Sequence, residues 1–176
     1  EAEVGNKPFL PDGWIYCYLG NLAEIVRGAS PRPAGDPRYF GGSIPWITVA
    51  ELTKDDGMYL NSVRQYVTEA GKDRSRFIRS GTLLLTNSGA TLGVPKITRL
   101  DGCINDGSVA FVSIPLSSQS YLYWFLKSQT KALRDINQGA AQPNLNTDIV
   151  KHIVTPLPPL AEQEEIVRRV EALFAV

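Results

Sequence analysis

Short apolar runs separated by glycine- and proline-containing turns fill most of the chain. "GWIYCYL" (13–19) alternates aromatic and other residues, and "IPWITVAEL" (44–52) is largely apolar, so both predict strands. Between them, "NLAEIV" predicts a short helical turn, and residues 27–42, dense in glycine and proline, predict a long loop. The runs "GTLLLTNSG", "GVPKITRLDG" and "SVAFVSI" predict three more strands. This pattern indicates a mixed, strongly bent β-sheet with short helices.

A helical pattern replaces the strand pattern towards the C-terminus. In "SSQSYLYWFLKSQTKALRDI" (117–136) the apolar residues recur at roughly helical spacing. "NQGAAQPNLNTDIVKHI" is polar and contains glycine, which predicts a loop leading into a short element. Pro158 and Pro159 then precede "AEQEEIVRRVEALFAV" (161–176), which predicts a second helix. We therefore expect an α+β fold followed by a proline-started C-terminal helix of the spacer or coiled-coil type.

The C-terminal helix carries one broad apolar stripe. Its positions follow i, i+1, i+4, i+7, i+8 and are Ile166, Val167, Val170, Leu173 and Phe174. Such a stripe packs either on this domain or in a longer helix, and we expect the longer helix because heptad spacing continues to the last residue. We divide the chain into a folded domain (1–156) and the start of a spacer helix (157–176).

Composition limits the broad class of protein. The 176 residues are 43% hydrophobic, which suits one globular domain with a core and a small appendage. No apolar run approaches a membrane span. With Cys17, Cys103 and one histidine, we expect no metal site and two buried, reduced thiols, hence a cytoplasmic protein. Because the chain begins at Glu1 rather than Met, we expect a fragment or a processed chain.

Charge is unevenly distributed, although the formal net charge is zero. Residues 64–99 contain seven basic and two acidic side chains, a local excess of five positive charges. Such a stretch suits a face that contacts a polyanion, and it equally suits an ordinary solvated surface.

The loop in "TLLLTNSGATLGVPKI" raises the question of phosphate binding. It lacks the GxxxxGK[ST] and GxGxxG patterns, and Pro95 with β-branched neighbours predicts a following strand rather than a helix. ATP and NAD are therefore disfavoured. The loop is either a plain β-turn or a strand–loop–strand tip that contacts a nucleic-acid phosphate or base edge through Asn87, Ser88, Thr91 and Lys96.

Catalytic chemistry is poorly supported. His152 is the only histidine and lies in an apolar run, no G-x-S-x-G elbow exists, and Asp55-Asp56 beside Gly57 is typical of a turn. We name no catalytic residue. Arginine and amide side chains that can hydrogen-bond base edges are plentiful in loops instead. Besides the four residues of the glycine loop, the DNA-binding candidates are Arg27, Arg32, Arg38, Tyr39, Arg64, Lys72, Arg74, Arg76, Gln138, Gln142 and Asn144.

Five motifs in order resemble the DNA-specificity (S) subunit of type I restriction–modification systems. They cover one target-recognition domain and the start of its helix, and the last of them is the most specific. The motifs are "LPDGW", "YLGNLAEIVRGASP", "YFGGSIPWITVAEL", "SGTLLLTNSGATLGVPKI" and "NQGAAQPNLNTDIVKHIVTPLPPLAEQEEIV".

The resemblance implies a non-catalytic reader of double-stranded DNA in a bacterial or archaeal cytoplasm. In this family each domain recognises one half of a split target, and long helices dock modification subunits that methylate adenine. A restriction subunit adds cleavage. S-adenosylmethionine, ATP and Mg²⁺ belong to those partners, and no cofactor is expected in this chain. The second recognition domain lies in the same chain or in a pairing copy.

Two other functions stay open from the sequence. The chain could be the recognition part of a fused enzyme that methylates and cuts DNA, or a protein–protein adaptor whose apolar helix carries the function. A catalytic domain in the parent chain would favour the first, and absence of DNA contact would favour the second.

Overall fold

The computed structural model describes residues 7–135 and 144–174, and it has the expected α+β fold. In chain order the elements are β1 (Ile15–Tyr18), α1 (Leu19–Leu22), β2 (Glu24–Arg27), β3 (Phe40–Ile47), α2 (Val49–Leu52), β4 (Tyr59–Leu60), β5 (Tyr66–Val67), α3 (Glu69–Lys72), β6 (Arg76–Ile78), β7 (Leu83–Thr86), β8 (Pro95–Thr98), β9 (Gly102–Ile104), β10 (Ser108–Val112), α4 (Leu116–Asp135), α5 (Thr147–Lys151), β11 (Val154–Leu157) and α6 (Leu160–Phe174).

A five-stranded sheet in the order β2-β10-β7-β8-β4 forms the middle of the molecule. All its neighbouring strands are antiparallel except the pair β4–β8, which is parallel. On β7, Leu83 and Leu85 face the core cluster shared with α4, whereas Leu84 faces a second cluster on the other side of the sheet. Burial of both faces explains why this strand is a continuous apolar run rather than an alternating one.

A four-stranded sheet in the order β5-β3-β9-β6 packs on that second face. Ile47, Ile78 and Ile104 of this sheet join Leu84 and Ala110 of the five-stranded sheet in one buried cluster. The two sheets thus share a buried apolar layer, which fixes their relative position by side-chain packing.

Helix α4 covers the opposite face of the five-stranded sheet. Its residues Tyr121, Leu122, Tyr123, Leu126 and Leu133 are buried in the cluster that also contains Leu83 and Leu85. The helix therefore buries one stripe and exposes the other, as its amphipathic sequence predicts.

The first and last strands form a separate two-stranded sheet. β1 pairs with β11 in antiparallel register, from Ile15 opposite Leu157 to Tyr18 opposite Val154. Helix α6 follows directly and packs against α4. The beginning and the end of the domain consequently lie side by side.

Several local predictions differ from the structure. The strands are divided among three sheets, where we expected one bent sheet. Residues 24–26 of the expected helical turn lie in β2, because Ile25 is buried against the core beside β10. Residues 49–52 of an expected strand form the helical turn α2, which buries both Glu51 and Leu52.

Two further differences concern strand assignment. The expected loop 27–42 ends in β3, and a Cβ at Gly42 would lie 2.4 Å from the Val67 carbonyl oxygen, so only glycine fits there. The short strand β9 was not predicted. Cys103 is buried as expected and Cys17 only half-buried; both are free, and burial raises the pKa of each thiol. No helix within the described ranges is long and apolar enough to span a membrane.

Candidate functional site

Two loops predicted to contact DNA meet at Asp106, in the turn between β9 and β10. Ser30 Oγ donates to Asp106 Oδ1 at 2.6 Å, and Arg32 Nη2 lies 3.7 Å from Oδ2. The Asp106 carbonyl oxygen accepts from Arg27 Nε at 3.0 Å and from Asn87 Nδ2 at 3.4 Å. Asp106 therefore links the long loop after β2 to the glycine loop after β7.

Arg64 is held by a buried carboxylate. Its Nε donates to Glu51 Oε1 at 2.8 Å, and its backbone N–H donates to the same oxygen at 3.3 Å. The Glu51 side chain is only 3% exposed, and Lys54 Nζ lies 3.4 Å from its other oxygen. Burial alone would raise the Glu51 pKa, but the hydrogen bonds from Arg64 and the nearby Lys54 ammonium outweigh it and hold the pKa below its ordinary value.

Arg32 and Arg64 border one cleft, which has a volume of about 710 Å³. The loop after β2, the glycine-containing start of β3 and the segment before β5 form its walls. The Arg32 and Arg64 side chains are 71% and 72% exposed, and Trp46 and Tyr66 add aromatic surface. The cleft can accommodate an anionic, partly apolar ligand.

Lys96, predicted to contact DNA, is buried instead. Only 1% of the residue is exposed, and its Nζ donates to Asp55 Oδ1 at 2.6 Å and to the Asp55 carbonyl oxygen at 2.8 Å. The same pairing lowers the Asp55 pKa. Its charge is neutralised inside the fold, so the prediction for Lys96 is wrong, and "DDG" serves to anchor this lysine as well as to turn the chain.

The glycine loop is fastened to the rest of the domain. Asn87 is fully buried, its backbone N–H donates to the Gly107 carbonyl oxygen, and its carbonyl oxygen accepts from Leu145. A side chain without exposure cannot reach a duplex, so Asn87 is not a surface contact. Ser88 and Thr91 are half-buried, and Thr91 accepts a hydrogen bond from Thr86 Oγ1 through its carbonyl oxygen.

Both glycines of this loop have positive φ, +73° at Gly89 and +83° at Gly93. Two side chains of helix α4 hold this loop in place. Thr130 Oγ1 donates to the Gly93 carbonyl oxygen, and Arg134 Nε donates to the Leu92 carbonyl oxygen. The glycines thus serve the turn, and the plain-turn interpretation describes most of this segment.

The remaining basic candidates lie outside the cleft lining. Arg38 pairs with Asp36 at 2.7 Å and lies over the Tyr39 ring, while Lys72 pairs with Glu69 and lies over Phe77. Arg74 and Arg76, at the end of α3 and on β6, are exposed. These residues stay predictions as DNA contacts.

The late polar loop is described only at its end. Gln138 and Gln142 lie outside the described residues. Asn144 is exposed and forms an isolated antiparallel bridge with Ser88. Asn146 Oδ1 accepts from the Ile149 backbone N–H at 2.8 Å, which caps α5.

The apolar stripe of α6 is divided along its length. Ile166 and Val167 pack against the core cluster that contains α4, and Val170 is half-buried. Leu173 is 76% exposed, and Phe174 stacks on Trp124 at 5.3 Å although it is 72% exposed. Ile166, Val167 and Phe174 of the stripe thus contact this domain, and continuation into a longer helix stays a prediction.

Two residues that organise the cleft were not among the predicted contacts. These residues are Glu51 and Asp106. Asp106 precedes Gly107 in a strand–turn–strand pattern, which is a turn signal that could have drawn attention to it. Nothing in the local sequence around Glu51 indicates burial beside Arg64. In the described part of the chain, no group of three or more histidine, cysteine, aspartate or glutamate side chains could hold a metal ion.

Sequence relatives agree with the motifs. The chain is 30% identical over 170 residues to the type I restriction enzyme MjaIX specificity subunit of Methanocaldococcus jannaschii, covering 94% of this chain and 38% of that protein. It is 28% identical to the EcoBI specificity subunit of Escherichia coli, covering 99% of this chain and 38% of that protein. The chain thus spans about two fifths of the length of these relatives.

Solved structures share the fold. The HsdS subunit of Thermoanaerobacter tengcongensis superimposes with a TM-score of 0.75 at 22% identity, over 97% of this chain and 40% of that one. The S subunit from M. genitalium gives a TM-score of 0.64 at 14% identity, over 93% of this chain and 40% of that one. Residues 11–175 match the family model described as type I restriction modification DNA specificity domain. The chain belongs to this family.

Proposed function

We propose that this chain is a target-recognition domain that reads one half of a bipartite DNA sequence. The family match over residues 11–175 carries the proposal. The cleft bordered by Arg32 and Arg64 supports the proposal. Although the formal net charge of the chain is zero, this cleft exposes two positively charged guanidinium groups. Exposed arginine in a concave surface is a common means of binding nucleic acid.

The domain has no catalytic role in this proposal. It directs modification and restriction subunits, which supply S-adenosylmethionine, ATP and Mg²⁺ chemistry, to the DNA sequence that it selects. A second recognition domain, in the same chain or in a second copy, reads the other half of the target. Helix α6 begins the spacer that joins the two.

Exchange of the domain tests this function. Residues 19–153 of the full-length protein are replaced by the matching segment of another family member, and the protein is expressed with its modification subunit. Methylome sequencing of the host is expected to show a new sequence in one half of the methylated motif. The control exchanges α6 alone and is expected to preserve both half-sequences, although it can change the spacing between them.

An unchanged motif after exchange of residues 19–153, with methylation still active, would rule out DNA reading by this domain. If the motif changed but DNA methylation or cleavage arose from this chain alone, the non-catalytic assignment would be wrong.

A further inference from the structure

Arg32 and Arg64 reach the same cleft from segments far apart in the sequence. Each is exposed by more than two thirds of its side chain, and each is accompanied by a carboxylate, Asp106 or Glu51. A long, flexible arginine on a surface normally loses conformational entropy when it binds a ligand. Holding a guanidinium group in place beforehand reduces that cost, so Arg64, which donates to the buried Glu51 carboxylate, is prepared for a ligand, and Arg32 lines the same cleft.

The outer edge of the Arg64 guanidinium group is free to bind a ligand. Its Nε and its backbone N–H both donate to Glu51 Oε1. The two terminal amino groups of its guanidinium have no hydrogen-bonding partner within residues 7–135 and 144–174. Paired terminal N–H groups match the geometry of two phosphate oxygens.

The rim of the cleft allows a ligand to approach the backbone. Gly35 and Gly41 line it with φ of +77° and +88°, and a Cβ at either would meet no atom within 4 Å. The positive φ requires glycine, and the open space means that no neighbour fills the position. Tyr66, 41% exposed, adds a flat surface suited to a sugar.

The concave shape decides which part of a duplex fits. Base edges lie at the floor of a groove, so a protein element that reads them must protrude. A cleft receives the part of the duplex that projects, which is the sugar–phosphate backbone. Its volume of about 710 Å³ accommodates a phosphate with its adjoining sugar.

We propose that this cleft binds the backbone of the target duplex, with a phosphate contacted by Arg32 and Arg64, and that Glu51 positions Arg64. This inference rests on the proposed function. It places the phosphate-contacting face of the domain at the cleft, while the bases are read by elements outside it.

Salt-dependent binding tests the arginines. The full-length protein in complex with its modification subunit is titrated with a labelled duplex that carries the methylated motif, and with a scrambled duplex of equal length. Arg64→Ala is expected to weaken binding to both duplexes by about tenfold or more, and to reduce the slope of log K against log salt by about 1. Arg32→Ala is expected to act in the same direction.

Arg79→Ala is the matched control. Arg79 is also exposed, at 78%, and also paired with a carboxylate, Asp101 at 2.7 Å, but it lies outside the cleft lining. Equal effects of Arg64→Ala and Arg79→Ala would overturn the assignment to the cleft. Weakening confined to the motif duplex would show a base contact and overturn the phosphate contact. Failure of the wild-type complex to bind either duplex would instead reject the proposed function, and this inference with it.

Glu51→Gln and Glu51→Met together separate positioning from charge. Both variants remove a negative charge next to the cleft, so electrostatics alone predicts that both bind DNA more tightly and have a lower KM for methylation of the motif duplex. Glutamine keeps an oxygen that can accept from Arg64, and methionine has none, so a positioning role predicts weaker binding by Glu51→Met than by Glu51→Gln with Arg64 still present. Equally tightened binding by both variants, with the Glu51→Met protein still folded by circular dichroism, would reject a positioning role.

Discussion

Single side chains in this domain take their roles from burial that their sequence neighbours do not reveal. Lys96 lies in a strand whose four residues are all buried, and its ammonium group is bound by Asp55, 41 positions earlier in the chain. Asn87 follows the apolar strand β7 and is equally buried. A polar residue at a loop edge looks the same in the sequence whether it faces water or the core, so their exposure could not be predicted.

Replacement of Asp55 by asparagine should destabilise the fold by about 1–3 kcal/mol. The reason is that the Lys96 ammonium, 1% exposed, would lose its charged partner. The neighbouring Asp56→Asn is the control and should change stability by less than about 0.5 kcal/mol, because Asp56 is exposed. Urea unfolding at pH 7 measures both variants, and equal stability losses would contradict the buried pairing.

The same pair should make stability depend on pH in the acid range. Hydrogen bonding to Lys96 lowers the Asp55 pKa from its ordinary value of 3.8, so the unfolded chain binds a proton on Asp55 at higher pH than the folded chain does. The stabilisation from this pair is therefore complete above pH 3.8 and decreases as the pH falls below that value. The stability gap between wild type and Asp55→Asn should stay constant from neutral pH to about pH 5 and narrow below about pH 4. A gap that widens on acidification would contradict the assignment.

Elements were predictable where one periodicity persists, and less so where strands are short. Helices α4 and α6 match their predicted ranges closely, since their apolar stripes repeat over several turns. The four-residue elements β2 and α2 were assigned the wrong type, because "AEIV" and "VAEL" are too short to show a period. Their type is decided by pairing with β10 and by burial of Glu51 and Leu52, which are tertiary effects.

Helix α6 should respond differently along its length to the same substitution. Ile166→Asp should destabilise the domain by about 2–4 kcal/mol, because Ile166 packs against the core cluster beside α4. Leu173→Asp should change domain stability by less than about 0.5 kcal/mol, because Leu173 is 76% exposed. Thermal unfolding followed by circular dichroism compares them.

If Leu173→Asp leaves the domain folded but prevents assembly of the full-length protein, the exposed Leu173 position of the stripe serves a longer helix. Strong destabilisation by Leu173→Asp would show instead that the whole stripe belongs to the core of this domain.

At the level of the whole molecule, the opening and closing motifs are one structural unit. Trp14 Nε1 donates to Glu162 Oε2 at 2.6 Å across 148 positions, and Gln163 Nε2 donates to the Pro158 carbonyl oxygen at 2.9 Å. "LPDGW" and "PLPPLAEQ" thus lie together where the chain enters and leaves the domain. The sequence presented them as separate signatures, and no spacing rule predicts a contact between segments so far apart.

This arrangement makes residues 19–153 an exchangeable unit. The β1–β11 pair holds both ends of the segment, and the Leu19 backbone N–H donates to the Ile153 carbonyl oxygen at 3.0 Å. A chimera carrying the matching segment of the MjaIX specificity subunit should therefore unfold in a single cooperative transition. A chimera in which only residues 19–112 are exchanged should not unfold cooperatively. In it, Leu122 and Leu126 of the native α4 would face a foreign sheet in place of Leu83 and Leu85. Circular dichroism melting curves distinguish the two. Cooperative unfolding of both chimeras would show that α4 is not specifically matched to its sheet, and failure of the first would place the boundaries elsewhere.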